Sequence, residues 1–152
     1  MELIELLDRE RTEIVTEALS AMQRADLRHY QASGTEACRA RLQALYVVMY
    51  TSIAGRTLMP IEKHADDVAT ERFRAGFGLG EVQTAFNVLE EAIWKRIETE
   101  IPHDDLARSL ALVSTVLGSG KDRLARSYVA LATQSQVPAL DVQALFRAPD
   151  RS

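Results

Sequence analysis

Three histidines and one cysteine are the side chains with the widest chemical range in this sequence: His29, His64, His103 and Cys38. A helical histidine in an apolar pocket can ligate heme iron, so one hypothesis is a sensor that binds heme or another cofactor through His64. The alternative is that His64 pairs with Asp67, one turn further along the same helix. The histidines lie far apart and lack the spacing that places two ligands on one helix face. We therefore predict no metal site and no bound cofactor.

Catalytic groups in this sequence lack the neighbours that covalent or acid-base chemistry requires. A nucleophilic cysteine needs a base beside it, and Cys38 has Arg41 nearby instead. An arginine can lower the pKa of a thiol near a helix start, but an ordinary helix cysteine is the simpler interpretation. The carboxylates of Glu62, Asp66 and Asp67 belong to the early turns of a predicted helix, where the helix dipole favours acidic residues. We predict no catalytic residue and no enzymatic activity.

Composition restricts the class of protein further. The 152 residues are 47% hydrophobic and 26% charged, which is typical of one folded domain and excludes wholesale disorder. The net charge of −4, without a basic tail, argues against nucleic-acid binding. The acidic start does not resemble a signal peptide, and the uncharged run over 42–55 is too short to cross a bilayer. We expect a cytoplasmic protein that binds neither nucleic acid nor membrane.

Apolar residues recur at spacings of three and four along most of the chain, which predicts helices and no strands. The predicted fold is an all-α, single-domain bundle of about five long helices plus a short C-terminal helix, and a globin-like arrangement is one form of it. The five long helices are predicted over residues 2–32, 35–55, 60–75, 81–101 and 104–132.

Several of these helices have features that predict their place in the bundle. Gly34 ends the first helix and Thr35 caps the second, which is apolar over most of its circumference and therefore predicted to be central. The fifth helix keeps its register across Gly118-Ser119-Gly120, with a weak or kinked point there. We place the bundle, as a sensor or regulatory domain, over residues 1–132, and a linker with a short amphipathic segment over residues 133–152.

The most distinctive stretch joins the third and fourth helices. It runs from Glu71 to Ile97 and combines a charged helix end, the glycine-rich corner Gly76-Phe77-Gly78-Leu79-Gly80, an acidic helix start and a long amphipathic helix. This stretch resembles the N-terminal regulatory domain of the RsbRD-type RsbT co-antagonists. The resemblance implies an all-helical sensor module of bacterial signalling, and it brings no catalytic residue with it. Such domains precede an output domain, so the chain is either freestanding or a fragment of a longer protein.

Aromatic side chains gather around the second, third and fourth helices. Core packing is their simplest role, although in a sensor they can also line a small pocket between helices. Arg72 and Arg74 flank this region and can bind an anion; the alternative is that both are solvated at a helix end. The residues predicted to line a ligand pocket are Tyr46, Tyr50, His64, Phe73, Phe77, Phe86 and Trp94.

The last apolar residues of the chain predict an interaction surface. Leu140, Leu145 and Phe146 follow a polar stretch, and an isolated helix of this length is marginal in water. We expect this segment to dock on the bundle, on a second subunit or on a partner, with the glycines at 118–120 as a candidate groove. Heptad-like spacing in the fourth and fifth helices predicts a homodimer. The predicted function is a non-enzymatic bacterial signalling module that self-associates, binds a protein partner and is tuned by a small ligand.

Overall fold

The computed structural model describes residues 1–25 and 27–140, with side chains through residue 135. This part of the chain contains α helices and no strand, which confirms the all-α prediction. The helices are α1 (Leu3–Arg9), α2 (Arg11–Arg24), α3 (Arg28–Ser33), α4 (Thr35–Gly55), α5 (Met59–Arg74), α6 (Leu79–Glu100) and α7 (His103–Leu140).

Helix α4 lies at the centre of the bundle, as its apolar pattern predicts, and contacts each of the other six helices. Helix α7 packs mainly on α5 and α6, while α2 packs on α6 and α4. One core runs through all of them, with Tyr46, Met49, Ile61 and Ile93 fully buried. Burying these side chains supplies the hydrophobic stabilisation that a single domain of this size requires.

The single helix predicted over residues 2–32 is wrong, because the chain forms three helices there. The first break falls at Glu10, between α1 and α2. The buried hydroxyl of Tyr46 donates a hydrogen bond of 2.5 Å to the carbonyl oxygen of Leu7. A continuous helix would use this oxygen for the amide four residues further on. The hydrogen bond from Tyr46 of α4 therefore takes up the carbonyl oxygen of Leu7 close to the point where α1 ends.

The second break, after α2, also has a distant cause. Leu27 is extended, and α3 starts at Arg28. The amide of His29, in the first turn of α3, donates a hydrogen bond of 3.0 Å to a carboxylate oxygen of Glu81. First-turn amides have no partner within their own helix, and here an acidic residue of α6 supplies one.

The sequence predicts where the turns lie, but it predicts less well which residues cap the helices. Gly34 has φ of 90°, a value that favours glycine, and it ends α3 as predicted. Thr35 is the first residue of α4 and its side chain makes no cap, so the predicted cap is wrong. Likewise α6 starts at Leu79 with Gly78 as its N-cap, rather than after Gly80.

Helix α6 confirms the predicted register of the fourth long helix. The spacing of three and four along the sequence predicts one apolar face on this helix, and every residue of it is buried: Val82, Ala85, Phe86, Leu89, Ile93 and Ile97. The spacing of three and four that positions these side chains is local to one helix, which is why the sequence alone predicts it.

Helix α7 is continuous across Gly118-Ser119-Gly120 and extends to Leu140, eight residues beyond its predicted end. A Cβ atom at Gly120 would lie 2.8 Å from Cε2 of Phe86 and 2.9 Å from Cγ1 of Ile61. Helices α5 and α6 therefore occupy the surface at Gly120, and the predicted docking groove is wrong at this position. At Gly118 no atom lies within 4 Å of an added Cβ atom, so that part of the groove stays a prediction. Leu145 and Phe146 lie outside the described residues, as does the side chain of Leu140. No helix in the described part of the chain has the length and apolar character needed to cross a membrane.

Candidate functional site

The aromatic residues predicted to line one pocket have different surroundings. The guanidinium group of Arg11 lies 5.6 Å and 5.4 Å from the ring centres of Tyr46 and Tyr50. Phe86 is buried where α6 faces α7, and Trp94 is 39% exposed. Their role in binding a ligand stays a prediction, and the structure brings a different set of residues together.

That set surrounds Phe77, in the corner between α5 and α6. The buried ring of Phe77 has Tyr30 edge-on at 5.0 Å and His29 at 5.0 Å between ring centres. The hydroxyl of Tyr128 donates a hydrogen bond of 3.1 Å to the carbonyl oxygen of Phe77, and the Tyr128 ring packs edge-on against Phe73. Phe77 thus contacts residues of α3, α5 and α7.

Two arginines lie against the same ring. The guanidinium carbons of Arg41 and Arg72 are 5.3 Å and 5.8 Å from the centre of Phe77, within cation–π distance. Arg72 is only 5% exposed, and its Nη1 donates to the carboxylate of Glu71 at 2.5 Å. The alternative of two solvated arginines is therefore wrong for Arg72, whereas Arg74 is exposed. We name Tyr30, Arg41, Arg72 and Phe77 the corner cluster.

Each arginine of the corner cluster has one buried nitrogen that lacks a partner. Among the described residues, nothing accepts a hydrogen bond from Nη1 of Arg41 or from Nε of Arg72. The guanidinium group of Arg72 also lies within hydrogen-bonding reach of the Tyr30 hydroxyl. Buried polar groups nearly always have partners, because an unsatisfied one costs stability. Among the described residues, Nε of Arg11 and Oε2 of Glu17 also lack a hydrogen-bond partner, and the corner cluster differs in having two such nitrogens on arginines that contact one ring.

Cys38 lies beside the corner cluster, but its thiol is not activated. Burial raises the pKa of Cys38, and the charges of Arg41 and Arg72 oppose that effect without overcoming it. Burial likewise raises the pKa of Tyr30. Both groups are therefore neutral at neutral pH, which disfavours the alternative of an arginine-activated thiolate.

His64 is half-buried on α5, close enough to Arg72 to feel its charge. Burial lowers the pKa of His64, Arg72 lowers it further, and Asp67 acts in the opposite direction. The carboxylate of Asp67 accepts a hydrogen bond of 2.9 Å from Lys63. Within the described residues, no group of three acidic, histidine or cysteine side chains is placed to hold a metal ion. Heme ligation by His64 stays a prediction.

Glu81 closes the corner from the side of α6. Its carboxylate lies 2.6 Å from Nδ1 of His29, and it accepts hydrogen bonds from the amides of His29 and Gly78. Burial by itself would raise the pKa of Glu81, but these hydrogen bonds outweigh it and hold the pKa below its ordinary value. The carboxylate thus stays charged and fixes α3 against the start of α6.

A cavity of about 350 Å³ opens beside the corner cluster, between α2, α3 and α4. Leu19, Met22, Tyr30 and Cys38 contribute to its walls. Tyr30 and Cys38 are also the two groups on which both arginines act. A second cavity of about 590 Å³ lies between the start of α1, the end of α4 and the start of α7.

Sequence reasoning missed Tyr30 and considered His29 and Arg41 only for other roles, so it did not bring these three residues together with Phe77. They belong to α3 and α4, while Arg72 and Phe77 come more than 30 residues later. No local spacing connects the two groups. The unusual accumulation of glycine around Phe77 is the one signal that indicated this corner.

The fold and the corner define the class of the protein: an all-α helical-bundle domain with buried charge at one corner. Residues 4–136 match the family model described as the RsbT co-antagonist protein rsbRD N-terminal domain. The chain therefore belongs to this signalling family, which supports a regulatory role and confirms the resemblance seen over residues 71–97. No curated protein and no solved structure gives a significant match.

Proposed function

We propose that the chain is a non-enzymatic, cytoplasmic regulatory module that self-associates, binds a signalling protein and responds to a small ligand at the corner. Family membership supports the regulatory role. The observation that carries the ligand response is the corner cluster, with its two unpartnered arginine nitrogens. A ligand that accepts hydrogen bonds from these two nitrogens would shift the protein toward the conformation that it binds more tightly. Such a shift is what a regulatory effect requires.

The position of the corner cluster supports a response that spreads through the bundle. Tyr30 belongs to α3, Arg41 to α4 and Arg72 to α5, and Tyr128 of α7 contacts Phe77. A change at this point therefore acts on four helices at once. A ligand bound to the surface of a single helix would not act on several helices in this way.

Self-association is proposed through α7 and the segment that follows it. Val129 is 64% exposed on α7, and Leu112 of the same helix is also exposed. The two positions lie far apart along α7, so Val129, the more exposed of them, is the one proposed to contact a second copy. The segment containing Leu140, Leu145 and Phe146 is proposed to extend this interface to a second copy of the chain or to a partner.

Light scattering and sedimentation test the self-association. We expect a dimer at high micromolar concentration, and we expect Val129→Glu or deletion from residue 137 onward to shift it toward monomer. Asp122→Glu is the matched control, because position 122 is exposed on α7 and the substitution leaves the charge of the side chain unchanged. A wild-type monomer at high concentration contradicts the proposed dimer.

A heme-binding sensor is the second candidate function, carried only by the half-buried position of His64. Absorbance of the purified protein tests it directly. A Soret band that disappears in His64→Ala would favour this candidate over the first.

A further inference from the structure

The cavity of about 350 Å³ between α2, α3 and α4 has a buried, mostly apolar floor. Four residues form this floor, each of them at most 5% exposed: Leu19, Met22, Tyr30 and Cys38. Concave sites of this size with mostly apolar walls are typical of small-molecule binding. The floor therefore offers apolar contacts to the body of a small molecule.

The rim of the same cavity is polar but uncharged. Gln23, Gln31, Gly34 and Thr35 complete the lining, and all four are exposed to solvent. The side-chain amide of Gln23, on α2, donates a hydrogen bond of 3.3 Å to the hydroxyl of Thr35, on α4. The rim thus provides amide and hydroxyl groups that can hydrogen-bond a polar group of the bound molecule.

Among the residues that the structure describes, no charged side chain lines this cavity. Arg41 and Arg72 lie against Phe77 and are not part of its walls. Burial raises the pKa of Tyr30 and of Cys38, so the floor has no anion at neutral pH either. An ion on this floor would lose hydration without gaining a partner of opposite charge, which is costly. The walls therefore favour an uncharged molecule.

We propose that this cavity binds an uncharged small molecule, with its apolar body on the floor and its polar group at the rim. The site goes beyond the proposed function, because such binding needs neither the unpartnered arginine nitrogens nor a dimer. Tyr30 of the floor also lies edge-on against Phe77, at 5.0 Å between ring centres. A molecule on the floor therefore contacts the corner cluster through Tyr30.

Cys38 provides the readout for the first experiment, because it is the one cysteine of the sequence and lies on the floor. The rate at which a thiol reagent labels Cys38 is measured in the full chain, without denaturant, over a range of 1-hexanol concentrations. We expect a saturable decrease, about elevenfold at ten times the dissociation constant, since only the unoccupied protein reacts. No decrease, or a decrease that does not saturate, overturns the proposal.

Charged molecules of the same length test the chemical class. Hexanoate and hexylammonium should each bind about fivefold or more weakly than 1-hexanol, because an ion near this floor loses hydration and gains no partner of opposite charge. 1-Butanol should bind roughly fifteenfold more weakly, since each of the two missing CH₂ groups contributes about fourfold in affinity. Protection of Cys38 by either ion that equals protection by 1-hexanol overturns the assignment to an uncharged molecule.

A bulky side chain at the rim tests the location. Thr35→Trp should weaken 1-hexanol binding about fivefold or more, because the indole ring takes up space at the mouth of a cavity of this size. Ala40→Trp is the matched control, since position 40 is exposed on the same helix and does not line the cavity. Equal protection of Cys38 by 1-hexanol in the two variants overturns the site.

Discussion

The helix crossing at Gly120 and the corner at Phe77 are both buried, yet they differ in how their atoms are satisfied. At the crossing, Phe86 and Ile61 close around a glycine that leaves no room for a side chain. At the corner, aromatic rings surround two guanidinium groups that each keep an unpartnered nitrogen. The crossing is apolar, whereas the corner buries guanidinium nitrogens that lack a hydrogen-bond partner.

The difference suggests separate roles for the two regions: the crossing stabilises the fold, and the corner is the candidate functional site. Well-matched apolar packing stabilises a fold, and departures from that consistency concentrate at functional sites. The crossing therefore holds α5, α6 and α7 together. An unpartnered buried nitrogen costs stability, and a ligand that binds the folded state offsets such a cost.

The largest expected effect belongs to the crossing. Phe86→Ala should lower the free energy of unfolding by about 3–5 kcal/mol, because Phe86 is 2% exposed and leaves a cavity in the core. Chemical denaturation measures the change, and the exposed Trp94→Ala is the control. A loss of less than about 1 kcal/mol for Phe86→Ala would show that the register of α6 is wrong.

Two glycines of α7 provide a matched pair for the same crossing. Gly120→Ala should cost about 1–3 kcal/mol, since its Cβ would lie under 3 Å from Phe86 and Ile61. Gly118→Ala meets no atom within 4 Å and should stabilise the helix by up to about 1 kcal/mol. Thermal midpoints of the two variants should thus move in opposite directions, and a parallel shift would contradict the close packing at Gly120.

A smaller effect is expected at Glu81, and it depends on pH. Hydrogen bonds outweigh burial and hold the pKa of Glu81 below its ordinary value of 4.5. Its contribution is therefore present above that value and is lost as pH falls through the lower, folded-state pKa. Glu81→Gln should cost about 1 kcal/mol at neutral pH, as loss of a cap does, and should flatten the decline in thermal midpoint in acid. The exposed Glu98→Gln should keep the wild-type pH profile; an equal decline in both variants would count against the role of Glu81.

The smallest expected change in stability is at the corner itself. Arg72→Met should change the free energy of unfolding by less than about 1 kcal/mol, because it exchanges a buried, incompletely paired charge for an apolar side chain of similar length. Chemical denaturation without any added ligand measures this change in the free energy of unfolding. A loss as large as that of Phe86→Ala would make Arg72 a structural residue and remove the contrast between the two regions.

The sequence predicts α4 to α7 well because their signals are local. The apolar face of α6 and the glycine before α4 act within a few residues of themselves. The breaks at Glu10 and Leu27 could not be predicted, since they depend on Tyr46 and Glu81, which are brought there by the fold.

The candidate site was predicted only in part, for the same reason. Phe77 and Arg72 are singled out by the sequence, but solvation at a helix end is the simpler expectation for Arg72. In the structure Arg72 is buried and interacts with Tyr30, which lies in a short helix that the periodicity does not reveal. The spacing of residues in one sequence does not reveal short helices or contacts between distant segments.

Helix α7 has a mechanical consequence that follows from its length alone. Its 38 residues span about 57 Å at 1.5 Å per residue. The Leu140 end lies about 30 Å from the close contact at Gly120. Geometry alone means that a tilt of about 10° about this contact would move that end by about 5 Å. Tyr128 lies between the two points and donates a hydrogen bond to the carbonyl oxygen of Phe77, so a tilt that began at the corner would move the far end of the helix further than it moved Tyr128.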